Sequence, residues 1–462
     1  MLIEIRNPFR KLTDAVVNKV NQLYFQNVGG GEVSLDFTQT WAIETAFMQN
    51  PDVYSVLMKM ATKTSSVPYY CKKIKDDESY KSYKQKQKNF IPTTQGVLNE
   101  LKAQSKAFDN TTYKPLPLER PNVLMGWSEF FQLSKIYLRG CGNTFWYILR
   151  NEQQKPIAIY CLPAHLMQIL IKPNAFNLTT ESPVLGYQLI YGNFSIPFLA
   201  DEVIHIKMPN PEWTFDARQL MGMSPLKSAY LNIENQISAN KHLTKMLKSS
   251  GAFGFVFVKG EAMTNEQAEQ FTQRIKDMDA SKERMSKITG ISKEIGFQRI
   301  ALGNDELQPW VALQWDRKTI CNVLDWSDEL MNNDGKASLS SNETNQARKI
   351  VLTDNILPDC LMFEEALNKY FIPFFKGYEG YKFVFDISEM PEMQDDIVKL
   401  MEWADKAPLT LNEIRELIKF ERSEADGMDD VWINRSKIRV DEAMIDANFL
   451  AEIPNEAEST KI

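Results

Sequence analysis

Residues 139–163 read "RGCGNTFWYILRNEQQKPIAIYCLP", and this stretch decides the fold class of the chain. It follows a predicted helix over 127–139, in which aromatic residues and leucines recur every three or four positions. Residues 142–151 and 156–162 are rich in aromatic and β-branched residues. They predict two strands joined by a polar turn, NEQQK. A helix that leads directly into a hairpin predicts an α+β unit.

The strand pattern continues on the C-terminal side of this hairpin. Residues 167–171, 186–192 and 202–207 also predict strands, so the α+β unit extends over about 120–210. At Ser224 the pattern changes. Ser224 as N-cap, Pro225 at the first helical position and Gly251 as C-cap predict a helix over 224–251. That helix is about 40 Å long at 1.5 Å per residue.

Two further long helices are predicted, over 305–330 and 342–375, with a kink at Pro358 in the second. A small α/β insert separates helix 224–251 from helix 305–330, and a strand is predicted at 381–387. The polar stretch "LMNNDGKASLSSNETNQAR" interrupts the helical pattern at 330–348. Connectors between packed helices usually have two to eight residues, so a longer one suggests a function.

Charge is unevenly distributed along the 462 residues. The net charge of −7 argues against a general nucleic-acid binder, whose surface is normally basic. Residues 386–462 hold twenty acidic and nine basic residues, a net charge of −11, which leaves about +4 for the remainder. The C-terminal seventh therefore reads as a separate acidic module. No window approaches 18 consecutive apolar residues, so we expect no membrane span. The five cysteines are predicted to be free thiols.

The sequence offers little that predicts catalysis or metal binding. His165, His205 and His242 have no partner at metal-ligand spacing, and we expect neither a metal nor a cofactor. The run DGKAS at 334–338 resembles the end of a phosphate-binding loop, but Ala337 replaces the required Ser or Thr.

One cluster of carboxylates keeps an enzymatic alternative open. A metal-dependent nuclease could use acidic residues near the polar interruption, because two-metal sites are built from carboxylates. These residues are Asp325, Asp328, Glu329 and Asp334. Solvated helix capping is the alternative role for the same residues. On balance the sequence predicts a structural or binding protein with no catalytic residues.

Four segments resemble the portal proteins of tailed double-stranded DNA bacteriophages. The first is 139–163, where a helix ends in a Gly-Asn pair and enters a hairpin. The second is "EVIHIK…MGMSPLKSAYLNI" at 202–233, and the third is "SSGAFGFVFV" at 249–258. The fourth is "LTLNEIRELI" at 409–418. They occur in the family's order. The Lys-rich stretch 72–90 and the region 176–200 depart from it, and "WSDELMNN" lacks the family's usual turn.

The resemblance implies a portal fold and a ring of subunits, usually twelve, at one capsid vertex. Double-stranded DNA enters and leaves through its axial channel without sequence-specific recognition. The implied parts are the N-terminal arm and α+β wing (1–223), stem helix 1 (224–251), a small α/β clip (252–303), stem helix 2 (304–330), the channel loop (331–341), the long wing helix and strand (342–390) and a helical acidic crown (391–462).

The same resemblance implies partners and a location. The partners are further copies of the chain, the terminase large subunit, head-completion or adaptor proteins, and the major capsid and scaffold proteins. The location is the portal vertex of the virion, with the bacterial host cytoplasm as the site of assembly. A separate ATPase would supply the energy for packaging, because this chain contains no Walker motif.

The channel loop is predicted to form a constriction of the channel. Its predicted site residues are Asn332, Asn333, Asp334, Lys336, Ser338 and Ser340. Asp334 cancels the charge of Lys336, so the loop suits sliding of DNA better than gripping of its phosphates. A linker that never contacts DNA is the alternative.

Two sets of basic residues have open roles. Lys241, Lys245 and Lys248 form one stripe on stem helix 1 that faces either the channel or a subunit interface or solvent. In the clip, docking of a packaging or head-completion protein competes with a plain solvated surface. The clip residues concerned are Arg274, Lys276, Lys282, Arg284 and Lys287. The acidic crown either repels packed DNA or serves solubility.

Three function classes thus remain: a portal ring, a metal-dependent nuclease, and a non-ring virion adaptor or scaffold protein. The sequence favours the first.

Overall fold

The computed structural model describes residues 32–33, 37–90, 94–171, 182–212, 218–248, 254–258, 295–299, 309–331, 341–387, 390–393 and 410–417, with scattered residues at 264–273 and 423–439. The chain divides into two compact units. One comprises Met1–Ser228 and Cys321–Ile462, and the other comprises Ala229–Ile320.

The described α-helices are α1 (Phe37–Trp41), α2 (Pro51–Ser65), α3 (Asp77–Lys88), α4 (Thr94–Ala107), α5 (Trp127–Cys141), α6 (Tyr230–Lys248), α7 (Pro309–Val323), α8 (Ser341–Val351), α9 (Leu357–Tyr370) and α10 (Leu411–Leu417). Two π-helical segments, Ala42–Phe47 and Leu352–Ile356, continue α1 and α8.

The described strands are β1 (Glu32–Val33), β2 (Tyr69–Ile74), β3 (Phe108–Lys114), β4 (Asn143–Arg150), β5 (Pro156–Leu162), β6 (Met167–Ile171), β7 (Val184–Tyr191), β8 (Phe194–Leu199), β9 (Val203–Lys207), β10 (Gly254–Val258), β11 (Ile295–Arg299), β12 (Tyr381–Phe385), β13 (Trp432–Ile433) and β14 (Ile438–Arg439). Among described residues the sheet orders are β1-β6-β7-β8, β12-β2-β3, β5-β4-β9, and the pairs β10-β11 and β13-β14.

The centre of the larger unit is the helix and hairpin that the sequence predicted. Helix α5 buries Phe130, Phe131 and Leu138. Strand β4 pairs antiparallel with β5 on one side and with β9 on the other. The predicted strands at 142–151 and 156–162 are confirmed to within one residue. The mixed α+β character of the chain is therefore established.

Residues 69–114, for which the sequence pattern predicts neither helix nor strand, form β2, α3, α4 and β3, and β2 pairs with both β3 and β12. Helix α3 exposes most of its charged residues and buries Tyr83 and Gln87. Two buried positions in twelve residues give too weak a period to identify a helix. The sequence also missed β8, which extends the sheet next to β7.

The helix predicted at 224–251 begins later than expected. A 3-10 turn occupies Pro225–Lys227, and α6 begins at Tyr230. The Ser224 hydroxyl does not cap this turn, because it donates to the carbonyl of Gly140 at 2.5 Å. Residues 249–251 lie outside the described residues. Leu226, Ile233 and Ile237 of this segment are buried.

Within the smaller unit, α6 and α7 are joined by side-chain hydrogen bonds. The Asn232 amide donates to Asp316 Oδ1 at 2.7 Å, and the Gln236 amide donates to the Leu313 carbonyl at 3.3 Å. Strands β10 and β11 form an antiparallel pair between these helices in the sequence. Pro309 is the first residue of α7, where its missing N–H costs nothing.

Among the described residues, no helix is long and apolar enough to cross a membrane. All five cysteines are free thiols, and burial raises the pKa of Cys71 to about 12 and of Cys161 to about 11.

Candidate functional site

The predicted site residues fall mostly outside the described part of the chain. This holds for the channel-loop residues Asn332, Asn333, Asp334, Lys336, Ser338 and Ser340 and for the clip residues Arg274, Lys276, Lys282, Arg284 and Lys287. Lys241 is exposed on α6, whereas the side chains of Lys245 and Lys248 lie outside the description. The structure does describe the residues on both sides of the predicted channel loop, and these flanking residues form a defined site.

The chain enters the loop through a tight turn rather than a helix. The predicted helix over 304–330 is wrong at its C-terminal end, because α7 ends at Val323. Asp325 has a left-handed backbone with φ of 53°, which stops an α-helix. The amide of Trp326 then donates to the Cys321 carbonyl at 2.9 Å. A 3-10 turn at Asp328–Leu330 follows, and residues 304–308 lie outside the described part.

A hydrogen bond from Lys59 of α2 fixes this turn. Its Nζ donates to the Leu330 carbonyl at 2.9 Å, two residues before the undescribed part of the loop. The carbonyl of Leu330 is thus satisfied by a side chain from a distant element rather than by a helical amide.

The chain leaves the loop in a helix that contains a π segment. Helix α8 runs from Ser341 to Val351, Leu352–Ile356 is π-helical, and α9 follows to Tyr370. The predicted helix 342–375 therefore extends five residues too far at its C-terminal end. Instead of a simple kink at Pro358, a π segment directly precedes α9, which contains Pro358. Proline lacks an N–H and clashes with the carbonyl four residues earlier. The wider π turn just before Pro358 accommodates that clash.

A buried ion network lies beside this π segment. Asp359 accepts from Lys135 Nζ at 2.5 Å and from Arg139 at 2.7 Å and 3.0 Å. The Lys135 side chain is 0% exposed and that of Asp359 is 2% exposed. Arg139 Nη1 also reaches Asp325 Oδ2 at 3.0 Å. Two cations therefore face two carboxylates, and one of these belongs to the turn that enters the loop.

Asn355 joins the network to the end of α7. Its carbonyl accepts from Lys135 Nζ at 3.1 Å and its side-chain oxygen accepts from the same Nζ at 2.7 Å. Its amide donates to the Leu324 carbonyl at 2.6 Å. Lys135 Nζ thus binds both the backbone carbonyl and the side chain of a residue in the π segment. Helix α5, the π segment and the turn at Asp325 are thus fixed to one another.

Burial and charge act against each other in this network. Desolvation lowers the pKa of Lys135 to about 8, although Asp359 favours its charged form. Desolvation of Asp359 favours its neutral form, but the charges of Lys135 and Arg139 outweigh this effect and lower its pKa. The network therefore depends on every partner being present, because a buried charge without its counterion is costly.

A second junction fixes the segment that leads into the smaller unit. Gly142 ends α5 with φ of 79°, and a Cβ there would lie 2.3 Å from the Met223 carbonyl oxygen. Asn143 is buried; its side-chain oxygen accepts from the Gly222 amide at 2.6 Å, and its amide donates to the Gly222 carbonyl at 3.0 Å. The Gly-Asn pair and the Gly-x-Ser-Pro segment are therefore packed against each other.

His205 completes this junction. Its Nε2 lies 2.9 Å from Asn143 Oδ1, and its ring stacks on Phe145 with centroids 4.3 Å apart. Burial, followed by the charge of Lys207, lowers the pKa of His205 to about 3. A neutral imidazole at ordinary pH fits a structural hydrogen bond between β9 and the Gly-Asn pair.

The nuclease alternative finds no support at this site. Arg139 engages the carboxylate of Asp325, and Asp334 lies outside the described residues. Within the described part of the chain, no group of three or more His, Cys, Asp or Glu is arranged to hold a metal ion.

Sequence reasoning missed Lys135, Arg139, Asn355 and Asp359. A signal was present, because Lys135 and Arg139 lie four residues apart on a helix rich in apolar residues. Charged residues at such positions are rarely buried without a partner. The partner Asp359 is more than 200 residues away in sequence, so the pairing itself could not be read from the sequence.

Comparison with known proteins shows a family match and similar folds. The family model described as "Phage portal protein" matches residues 97–418. The fold is similar to that in "Neck of native GTA particle computed with C12 symmetry", with 16% identity and a TM-score of 0.58, over 87% of this chain and 99% of that chain. It is similar to that in the virion of the native gene transfer agent (GTA) particle, with 16% identity and a TM-score of 0.57, over 88% and 100% of the two chains.

A likeness is also found to a phage portal protein of the HK97 family from Corynebacterium diphtheriae. It has 10% identity and a TM-score of 0.43, over 74% of this chain and 93% of that chain. No curated protein matches in sequence.

The matched region 97–418 contains the α5–β4–β5 motif, the Gly-Asn junction, the ion network and both ends of the channel loop. It spans more than half of the chain, and the resemblance predicted from the sequence is confirmed: the chain belongs to the phage portal protein family.

Proposed function

We propose that this chain is the subunit of a twelvefold ring that forms the portal of a tailed-phage-like particle. Membership of the portal family carries this proposal. Further support comes from the similar fold in particle necks that were computed with C12 and C6 symmetry. The ring occupies one capsid vertex of the virion after assembly in the bacterial host cytoplasm.

Within the subunit, residues 1–223 form the arm and wing, α6 and α7 belong to the two-helix stem, and 252–303 form the clip. The division of the chain supports this arrangement, since Ala229–Ile320 is a compact unit of its own. Residues 342–390 and 391–462 complete the wing and the acidic crown. The clip docks the terminase large subunit during packaging and head-completion proteins afterwards, while the wing contacts capsid and scaffold proteins.

The channel loop 331–341 acts on the DNA. Its entering end is fixed by side chains, because Lys59 bonds to Leu330 and Arg139 of the ion network bonds to Asp325. This anchoring fixes the position at which the loop begins in each subunit. A constriction built from many copies of the loop requires such a fixed position. The loop's charges sum to zero, so the phosphates of duplex DNA, one per ~1.7 Å, meet weak contacts and slide. The portal is a channel and docking platform rather than an enzyme.

The exposed Lys241 on α6 fits screening of the DNA phosphates from the stem. The same exposure fits a subunit interface or a solvent face, so the stripe of Lys241, Lys245 and Lys248 remains a secondary candidate.

Substitution of Lys336 by Glu tests the role of the loop. It changes the loop charge from zero to −2 per copy, and a ring of copies multiplies that repulsion of phosphate. We expect rings of unchanged symmetry and a clear loss of packaged DNA per particle. Lys88→Glu, on the exposed face of α3, is the matched control and should package normally. Failure of Lys336→Glu to form rings would show that the loop serves assembly instead of the channel.

A further inference from the structure

Helix α7 ends at a place where the sequence contains no helix breaker. Between Pro309 and Gly335 there is neither glycine nor proline, and the sequence pattern predicts a helix as far as residue 330. The helix nevertheless ends at Val323, and Asp325 adopts a left-handed backbone with φ of 53°. Contacts from other parts of the chain, rather than the local sequence, therefore impose this end.

The backbone of Asp325 is strained. A left-handed conformation brings the Cβ of an L residue too close to the following carbonyl oxygen, so it persists only where the surroundings hold it. Gln154 is the other described non-glycine residue with a positive φ, and it lies in the tight turn between β4 and β5, where such a backbone is ordinary. Asp325 joins no hairpin. Strain of this kind is typical of segments that change conformation.

Two side chains hold the turn in place of a helix. Arg139 Nη1 donates to Asp325 Oδ2 at 3.0 Å, and the Asn355 amide donates to the Leu324 carbonyl at 2.6 Å. In a continued helix that carbonyl would accept from the amide of residue 328 instead. Arg139 acts on the residue whose backbone blocks the helix. The Asp325 side chain is 54% exposed, so this contact is an ion pair at the protein surface.

The turn leaves polar groups without partners. The indole Nε1 of buried Trp326 has no hydrogen-bond partner among the described residues, which disfavours the turn. The amides of Ser327 and Glu329 form no backbone hydrogen bond with another described residue. In a continued helix they would donate to the carbonyls of Val323 and Asp325, four residues earlier. The two arrangements therefore differ in the protection of these two amides.

We propose that residues 324–330 form a two-state element at the entrance of the channel loop. One state is the turn, which the ion pair between Arg139 and Asp325 holds. In the other state, the ion pair is broken and α7 continues to Leu330. The helix then gains seven residues, or about 10 Å at 1.5 Å per residue, and the start of the channel loop moves by that length along the helix axis. The consequence for the channel rests on the proposed function, whereas the two states are properties of the chain alone.

Two substitutions of Asp325 separate the strain from the ion pair. Both remove the carboxylate that Arg139 binds. Asp325→Ala also disfavours the left-handed backbone and favours a helix, so α7 should continue. Asp325→Gly accepts the left-handed backbone without strain and disfavours a helix, so the turn should remain. The pair of variants therefore shifts the two states in opposite directions.

Hydrogen exchange of the purified full-length protein, followed by mass spectrometry of peptides that cover 327–330, is the measurement. The amides of Ser327 and Glu329 should exchange about tenfold more slowly in Asp325→Ala than in the unchanged protein, and no more slowly in Asp325→Gly. Unchanged exchange in peptides of β4 verifies that both variants are folded.

A turn with a purely structural role gives a different result. Its loosening would leave exchange in Asp325→Ala unchanged or make it faster, and either outcome would overturn the proposal. Equal slowing in both variants would overturn it as well, because the left-handed backbone would then not control the two states. These readouts need neither rings nor packaged DNA, so the proposal fails or succeeds independently of the proposed channel function.

Discussion

Asp359 is the residue on which the buried ion network depends. It accepts from Lys135 and twice from Arg139, in a position that solvent does not reach. Replacement of one partner leaves the opposite charges buried without compensation, which costs more than the pair contributes when intact. Loss of the Asp359 carboxylate alone should therefore remove the stabilisation that the whole network provides.

We expect Asp359→Asn to lower the free energy of unfolding by about 3–5 kcal/mol, measured by chemical denaturation. The exposed Asp201→Asn should change it by less than ~0.5 kcal/mol. The pKa of Asp359 is lowered in the folded protein, so its contribution is full above its ordinary value of 3.8 and is lost as the pH falls through the folded value. The difference in the free energy of unfolding between Asp359→Asn and the unchanged protein should accordingly become smaller in acid. A constant difference down to pH 2 would contradict this explanation.

Gly142 offers a second test at the same scale. Its φ of 79° disfavours any L side chain, and a Cβ would meet the Met223 carbonyl at 2.3 Å. Gly192 has a similar φ of 58° with no atom within 4 Å of its would-be Cβ. Gly142→Ala should destabilise the protein by about 2–5 kcal/mol, the sum of strain and overpacking, against about 1–2 kcal/mol for Gly192→Ala. Similar thermal shifts for both variants would mean that the contact with Met223 relaxes freely.

At the scale of elements, the local sequence pattern predicted some helices and strands, whereas others depend on tertiary contacts that the pattern does not show. The hairpin β4–β5 could be predicted because its strands and turn lie within about twenty residues. The starts and ends of the long helices could not. Ser224 reads as an N-cap, but its hydroxyl bonds Gly140 instead. The turn after α7 is held by Asn355, thirty-one residues further on.

The π segment also escaped prediction, although Pro358 marked the place. Proline predicts a kink or break, and only the surroundings decide between that and an inserted π turn. Here Lys135 binds the Asn355 carbonyl and supports the π geometry. No pattern within the helix itself encodes that partner.

Asn355→Ala should loosen the base of the channel loop without unfolding the protein. The Leu324 carbonyl loses its donor and Lys135 loses one acceptor, at a cost of about 1–3 kcal/mol. Amide hydrogen exchange of residues 324–331 should become about ten- to a hundredfold faster. Asn322→Ala removes an exposed side-chain amide in the last turn of α7 and should leave the exchange rates of residues 324–331 unchanged. Equal protection in both variants would contradict the anchoring role of Asn355.

At the scale of the whole molecule, the portal identity came from motifs rather than from composition. Net charge and the lack of catalytic patterns narrowed the choice to structural or binding proteins. The Gly-Asn pair and the Gly-x-Ser-Pro segment were informative because they pack against each other, so neither can change alone. The channel-loop residues proposed to meet DNA lie outside the described residues, and their roles stay predictions.

The central claim is that many copies of this chain enclose a channel. Electron microscopy of the purified full-length protein in negative stain tests it most directly. We predict ring-shaped particles with a central hole, and class averages with about twelvefold symmetry. Solitary globular particles without a hole, at protein concentrations where other portal proteins assemble, would contradict the account.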